Sequence, residues 1–168
     1  DRTNQVTGGD PETPPTARLL NIYTRIGVNL KSPEGVEAVL KLVAQADGIM
    51  EGFRPGVMER LGLGPDICLA RNPKLVFGRM TDFGQNGPAA SMPKHGPRPD
   101  CGQTALHHIG PADQKPVVPL NLVGDYGGGG MFLAYGPLAA LISVGKTGKG
   151  QVIDAAMTDG SAVLMTMF

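Results

Sequence analysis

Apolar residues recur in two different rhythms along the first half of the chain. Residues 25–30 alternate polar and apolar side chains, which is typical of a strand with one buried face. After Pro33 the apolar positions follow helical spacing, at Val36, Val39, Leu40 and Val43. Ser32 is a suitable N-cap for this helix, and Gly48 is a suitable left-handed residue to end it. The pattern therefore predicts a strand followed by a helix.

The same alternation of strand and helix patterns continues beyond that helix. Residues 49–51 begin a second predicted strand, and residues 74–80 form a third. Pro55 and Pro65 begin two short predicted helices between them, because proline suits the first helical position. A β-α-β-α-β order over residues 20–81 predicts an α/β fold with a parallel sheet flanked by helices.

Ligands of open parallel sheets bind at the carboxyl ends of the strands. Arg54 follows the second predicted strand, and residues 81–84 follow the third. Arginine suits phosphate groups because its guanidinium forms two parallel hydrogen bonds. A surface ion pair of Arg54 with Glu51 or Glu59 is the structural alternative.

The second half of the chain is organised differently. Residues 82–124 form a long connection rich in Gly and Pro, and such loops are usually functional or disordered. Residues 125–168 are predicted to be helix-rich, with a turn at residues 145–150, a short strand near residues 151–153 and a last helix from Asp154. The chain stops within an apolar helical pattern, so we expect it to be a piece of a longer protein.

Composition excludes several classes of partner. The 168 residues carry 15 Lys and Arg against 15 Asp and Glu, so no overall basic field predicts binding to nucleic acid or to a membrane surface. The longest apolar stretch, residues 131–144, is too short to span a bilayer. No signal-peptide pattern opens the sequence, and Cys68 falls on an apolar helical position as a buried thiol would. These features favour a soluble protein of a reducing compartment.

Asp125 is followed at once by Tyr126 and a run of four glycines, residues 127–130, and then by the apolar helical stretch. A carboxylate at the start of a helix lies in the positive field of the helix dipole and stays ionised. Glycines there leave backbone N–H groups accessible, and such groups stabilise a developing oxyanion. The alternative is a flexible joint in which Asp125 is an ordinary N-cap.

Residues 121–130, with the sequence NLVGDYGGGG, are similar to a signature of the family III CoA-transferase (CaiB/BaiF) superfamily, and within it to the α-methylacyl-CoA racemase branch. Four further segments resemble the same family in the same order: residues 30–35, 51–65, 72–76 and 148–157. The resemblance implies that residues 1–168 are part of the family's large domain. The implied fold is Rossmann-like, a parallel sheet flanked by helices, followed by a long loop and a helical segment.

The resemblance also implies a mechanism. A racemase of this family moves the proton on the carbon next to the thioester from one face to the other, through an enolate. The two proton carriers correspond to His95 and Asp125, and the oxyanion donors to Gly127 and Gly128. The residues after His95 differ from the family's Gly-His-Asp-Ile-Asn-Tyr segment. The adjacent His107 and His108 are predicted on an extended loop with their rings apart, and no metal site is predicted.

The resemblance implies that six residues contact CoA, namely Arg2, Val28, Asn29, Leu30, Lys31 and Arg54. Asn29 stands where the family usually has Asp, and Asp82 where it usually has Gly. No separate cofactor is expected, because CoA is part of the acyl-CoA thioester substrate. Family members form interlocked homodimers. A cytoplasmic location is expected in a bacterium, and a peroxisome or mitochondrion in a eukaryote.

Two other functions remain open. In a true CoA-transferase of this family, the residue matching Asp125 is a nucleophile that forms a mixed anhydride with the acyl group. The third possibility is a non-catalytic remnant that still binds CoA esters.

Overall fold

A computed structural model of the protein describes residues 26–92 and 103–168. Its centre is a three-stranded parallel sheet in the order β1–β2–β3, formed by Gly48–Glu51, Val76–Thr81 and Gln151–Ala156. Glu51 of β1 pairs with Arg79 of β2, and Arg79 pairs with Asp154 of β3. The predicted α/β fold with a parallel sheet and flanking helices is confirmed.

Six α-helices surround the sheet in the described residues: α1 (Pro33–Val43), α2 (Val57–Arg60), α3 (Pro65–Arg71), α4 (Gln103–His107), α5 (Phe132–Thr147) and α6 (Met157–Leu164). A π-helix, Leu122–Met131, leads directly into α5. Leu133 and Pro137 of α5 lie over Gly78 of β2.

The main apolar core lies between the sheet and the first three helices. Its buried side chains are Leu40, Val43, Met58, Leu63, Cys68, Leu75 and Phe77. The thiol of Cys68 donates to the carbonyl oxygen of Leu63 at 3.3 Å, and its burial raises the pKa of the thiol. The predicted buried thiol is therefore confirmed.

The predicted first strand is wrong within the described residues, since residues 26–29 form no strand. Asn29 instead closes a turn: its side-chain oxygen accepts from the Lys31 N–H at 3.1 Å, and its carbonyl accepts from the Ser32 N–H at 3.2 Å. Local side-chain bonds of this kind compete with strand pairing. The predicted N-cap is confirmed, because the Ser32 side chain accepts from the Gly35 N–H.

Helix α1 ends at Val43, earlier than predicted, and Gly48 lies in β1 without a left-handed conformation. The side-chain amide of Asn72 explains the early end, because it donates to the carbonyl oxygens of Val43 at 3.0 Å and Ala46 at 2.8 Å. These bonds satisfy carbonyls that a helix terminus leaves unpaired.

The helix-rich part also differs from its prediction in length. Strand β3 extends to Ala156, so α6 begins at Met157 and not at Asp154. The π-helix and α5 together run from Leu122 to Thr147, 26 residues that are long and apolar enough to cross a membrane. The apolar stretch predicted from the sequence, residues 131–144, is therefore only part of a longer helix. One such helix is weak evidence for a membrane protein, because core helices of soluble proteins have the same length and composition.

Candidate functional site

The loop after β1 is held by a buried ion network. Arg79 of β2 donates from Nε to Glu51 Oε1 at 2.7 Å, and from Nη1 to Glu59 Oε1 of α2 at 2.7 Å. The other Glu51 oxygen accepts from the Phe53 N–H at 2.6 Å. The side chains of Arg79 and Glu51 are only 6% and 2% exposed. The network therefore fixes both ends of the segment that carries Arg54.

The network shifts the pKa values of two of its members. The hydrogen bond from Arg79 holds the pKa of the Glu59 carboxyl below its ordinary value. Burial alone would lower the pKa of Arg79, but the hydrogen bonds to Glu59 and Glu51 raise it. Glu59 and Arg79 therefore stay charged at neutral pH, and the buried guanidinium of Arg79 remains compensated.

A small cavity of about 10 Å³ lies at the carboxyl ends of β1 and β2. Arg54 lines it together with Thr81, Asp82 and Phe83 from the end of β2. Arg54 is thus located at the strand ends, where ligands of parallel sheets bind. Its predicted ion pair with Glu51 or Glu59 is absent among the described residues, because both carboxylates are taken by Arg79.

A wider groove of about 560 Å³ lies between the start of α1 and the end of α2. Of the predicted CoA-contacting residues, Leu30 and Lys31 line it, whereas Val28 and Asn29 do not. Arg60 of α2 lines the same groove as Lys31. Arg60 was not among the residues predicted from the sequence to contact CoA. Its position in the last turn of the helix after Arg54 was the available signal.

Asp125 lies in the first turn of the π-helix and is exposed. The N-cap of this helix is Asn121, so the simple N-cap role for Asp125 is wrong. The acid still lies at the helix end where the dipole favours a negative charge. Asp125 lines neither the small cavity nor the groove.

The glycines after Asp125 lie against α6. A Cβ on Gly128 would be 2.5 Å from the Ser161 hydroxyl oxygen and 2.8 Å from the Met157 carbonyl oxygen. A Cβ on Gly160 would collide with the Gly128 carbonyl group. Close packing of two backbones therefore requires Gly128 and Gly160. The oxyanion role of Gly127 and Gly128 stays a prediction.

The two remaining predicted site residues, Arg2 and His95, lie outside the described residues. His107 and His108 lie within the described residues, and the predicted extended loop with their rings apart is wrong. They lie at the end of α4, and their rings contact each other edge to face, with centroids 5.2 Å apart. A cavity of about 370 Å³ lies beside them.

Comparison with known proteins gives the family. The model of CoA-transferase family III matches residues 24–168, which is most of the chain. The chain belongs to CoA-transferase family III. Residues 121–130 and the other segments that resemble the family lie within this match, so the resemblance seen in the sequence is confirmed.

Relatives within the family carry two kinds of name. The chain is 41% identical to "Alpha-methylacyl-CoA racemase" of Homo sapiens over 137 residues, 82% of this chain and 36% of that protein. It is 34% identical to "Probable fatty acyl-CoA transferase Rv3272" of Mycobacterium tuberculosis over 170 residues, 95% of this chain and 41% of that protein. The chain thus spans well under half the length of these family III relatives.

Solved structures agree with the family and with the fold. A crystal structure of Rv3272 from M. tuberculosis superposes with a TM-score of 0.72 at 36% identity, over 83% of this chain and 39% of that one. A CAIB/BAIF family protein from Brucella suis gives a TM-score of 0.74 at 29% identity, over 84% of this chain and 37% of that one.

Proposed function

We propose that the protein acts on acyl-CoA thioesters and epimerises the α-carbon of 2-methylacyl-CoA. The observation that carries the proposal is the exposed carboxylate of Asp125 in the first turn of a 26-residue helix, within a chain 41% identical to a named racemase. A carboxylate so placed lies in the positive field of the helix dipole and is open to a ligand, as a general base must be.

The chemistry needs two proton carriers and a way to stabilise an enolate. Asp125 exchanges the α-proton on one face of the thioester, and His95 exchanges it on the other. The proton removed by one group leaves the electron pair on the enolate, and the other group returns a proton to the opposite face. The enolate oxygen also needs donors, and the predicted ones are the N–H groups of Gly127 and Gly128. These residues lie inside the π-helix, so their N–H groups become available only where the helix opens at this point.

Binding of the CoA part rests on cations at two places. Lys31 and Arg60 provide positive charge in the wide groove, whose other walls include Leu30, Val36 and Leu61. A groove with apolar walls and two cations suits an adenine ring with its phosphates. Arg54, which lines the small cavity at the strand ends, is the second cationic position.

A second candidate function is transfer of CoA between carboxylic acids. The observation that favours it is the likeness to a protein named a fatty acyl-CoA transferase, which extends over 95% of this chain. In that reaction Asp125 attacks the thioester carbonyl, forms a mixed anhydride and releases the CoA thiolate. Both candidates use the same carboxylate, and they differ in whether the α-proton exchanges.

The test is exchange of the α-proton of 2-methylacyl-CoA with deuterium from solvent, followed by NMR. We expect Asp125→Ala to lose at least about a hundredfold in exchange rate, the usual contribution of a general base, while acyl-CoA binding persists. Asp66→Ala is the matched control, because Asp66 is also an exposed acid in the first turn of a helix. Equal exchange in the two variants would remove Asp125 from the mechanism.

A further inference from the structure

We propose that Thr81 contacts the ligand, and that its hydroxyl donates a hydrogen bond to a carbonyl oxygen of the pantetheine arm of CoA. The inference rests on the proposed function, because it assigns one more contact to the same ligand. It arises from a buried hydroxyl group that the fold leaves without a partner. Nothing in the family resemblance pointed to this residue.

Thr81 is the last residue of β2 and is only 4% exposed. Its hydroxyl oxygen has no hydrogen-bond partner among the residues that the structure describes. A buried hydroxyl without a partner costs free energy, so proteins normally pair such groups. A bound ligand that accepts from Thr81 removes this cost.

The small cavity at the strand ends is lined by Thr81. Its volume of about 10 Å³ is close to that of one water-sized group, so it accommodates a single atom and not a ring. Arg54 lines the same cavity, and its guanidinium has no hydrogen bond or ion pair within residues 26–92 and 103–168. Thr81 and Arg54 can therefore both donate to an oxygen atom that enters the cavity.

The charge of the cavity favours a neutral oxygen over a phosphate. Asp82 lines the cavity beside Arg54, so its wall carries charges of both signs. Phe83, Pro55 and Met92 contribute apolar walls, which raise the cost of an uncompensated anion. An amide carbonyl of the pantetheine arm accepts hydrogen bonds without adding charge, and it fits this balance better than the diphosphate does.

The backbone around Thr81 is held on both sides. Thr81 pairs with Ala156 in the sheet, and the next residue, Asp82, accepts from the Thr158 N–H of α6 through its carbonyl at 3.0 Å. The backbone that carries the Thr81 side chain is therefore positioned before a ligand binds. A preorganised donor loses little entropy when the bond forms, which increases its contribution to affinity.

The experiment compares Thr81→Val with Thr81→Ser. Valine keeps the shape of the side chain and removes the hydroxyl, whereas serine keeps the hydroxyl. Dissociation constants are measured by calorimetry for 2-methylbutanoyl-CoA and for 2-methylbutanoyl-pantetheine, which lacks the nucleotide. We expect Thr81→Val to bind both esters about tenfold more weakly, and Thr81→Ser to bind them within about threefold of the unaltered protein.

Thermal unfolding without ligand gives an independent readout. Because the hydroxyl lacks a protein partner, Thr81→Val should unfold at the same or a higher temperature. Unchanged affinity in Thr81→Val, or a lowered unfolding temperature, would overturn the inference, the latter because it shows a structural partner. A loss for the CoA ester alone would overturn the carbonyl assignment. If the unaltered protein binds neither ester, the proposed function itself fails.

Discussion

Two regions of this protein reach close packing by opposite means. Between β1, β2 and α2, long charged side chains fill the space, and Arg79 bridges Glu51 and Glu59. Between the π-helix and α6, the contact is made by glycines. Because they have no side chain, the backbones of Gly128 and Gly160 lie directly against each other. We call these the ion network and the glycine contact.

The difference shows how each region serves its part of the candidate site. The ion network orients the loop that carries Arg54, because Glu51 holds the Phe53 N–H while Arg79 holds Glu51. The glycine contact holds the helix that starts near Asp125 against α6 without any polar side-chain bond of its own. Removing one charged side chain destabilises the ion network, because it leaves a buried charge unpaired. Adding one side-chain carbon destabilises the glycine contact, because no space is left between the backbones.

The largest effect is expected in the ion network. Arg79→Met leaves the buried Glu51 carboxylate without its cation, and removing one partner of such a pair costs about 3–5 kcal/mol of unfolding free energy. Glu59→Gln is the control, because the Glu59 side chain is 45% exposed and we expect a loss of about 1 kcal/mol or less. Denaturant unfolding measures both, and equal losses would show that burial of Glu51 is not the cause.

The glycine contact should respond next. Gly160→Ala places a methyl group against the Gly128 backbone, and overpacking of this kind costs about 1–3 kcal/mol. Gly145→Ala is the control, because a Cβ there meets no atom within 4 Å. In a helix interior that change should stabilise by about 0.5–1 kcal/mol. If the two variants shift the unfolding midpoint in the same direction, the glycine contact is not close-packed.

The smallest effect concerns pH. The folded pKa of Glu59 is lowered by its bond to Arg79 from an ordinary value of 4.5. Its contribution is therefore fully present above pH 4.5 and is lost as pH falls through the lower, folded value. Glu59→Gln should flatten this part of the profile of unfolding free energy against pH. A profile unchanged in that variant would show that other carboxylates cause the acid sensitivity.

The sequence predicted most of the sheet region because local signals and tertiary contacts agree there. Ser32, Pro33 and Pro65 begin helices where expected, and Cys68 is buried where its helical position predicted. The predicted strands and helix ends were wrong where a side-chain hydrogen bond, local or from a distant residue, determines the backbone conformation. Asn72 ends α1 from a position far along the chain, and no pattern near Val43 indicates that contact.

The candidate site was predicted less completely. Arg54 lies at the strand ends, where its position in the sequence placed it, and Lys31 lines a groove, but their contacts to CoA and the catalytic role of Asp125 stay predictions. Arg60 was missed, because the groove that it lines depends on tertiary packing and not on a local motif. Thr81 was placed with residues 82–84 at the ligand-binding strand ends, but nothing in the sequence indicated its buried hydroxyl without a partner. The buried state of Arg79 was also invisible, since an isolated arginine in a strand pattern gives no sign of two carboxylates from other elements.

The most direct test of the account is incubation of the protein with one enantiomer of 2-methylbutanoyl-CoA in deuterated water, with and without acetate as an acceptor acid. The account predicts deuterium at the α-carbon and appearance of the other enantiomer, whether or not acetate is present. Formation of acetyl-CoA without α-deuterium would contradict it and would assign the protein to CoA transfer. Binding of the ester with neither reaction would contradict catalysis by this chain.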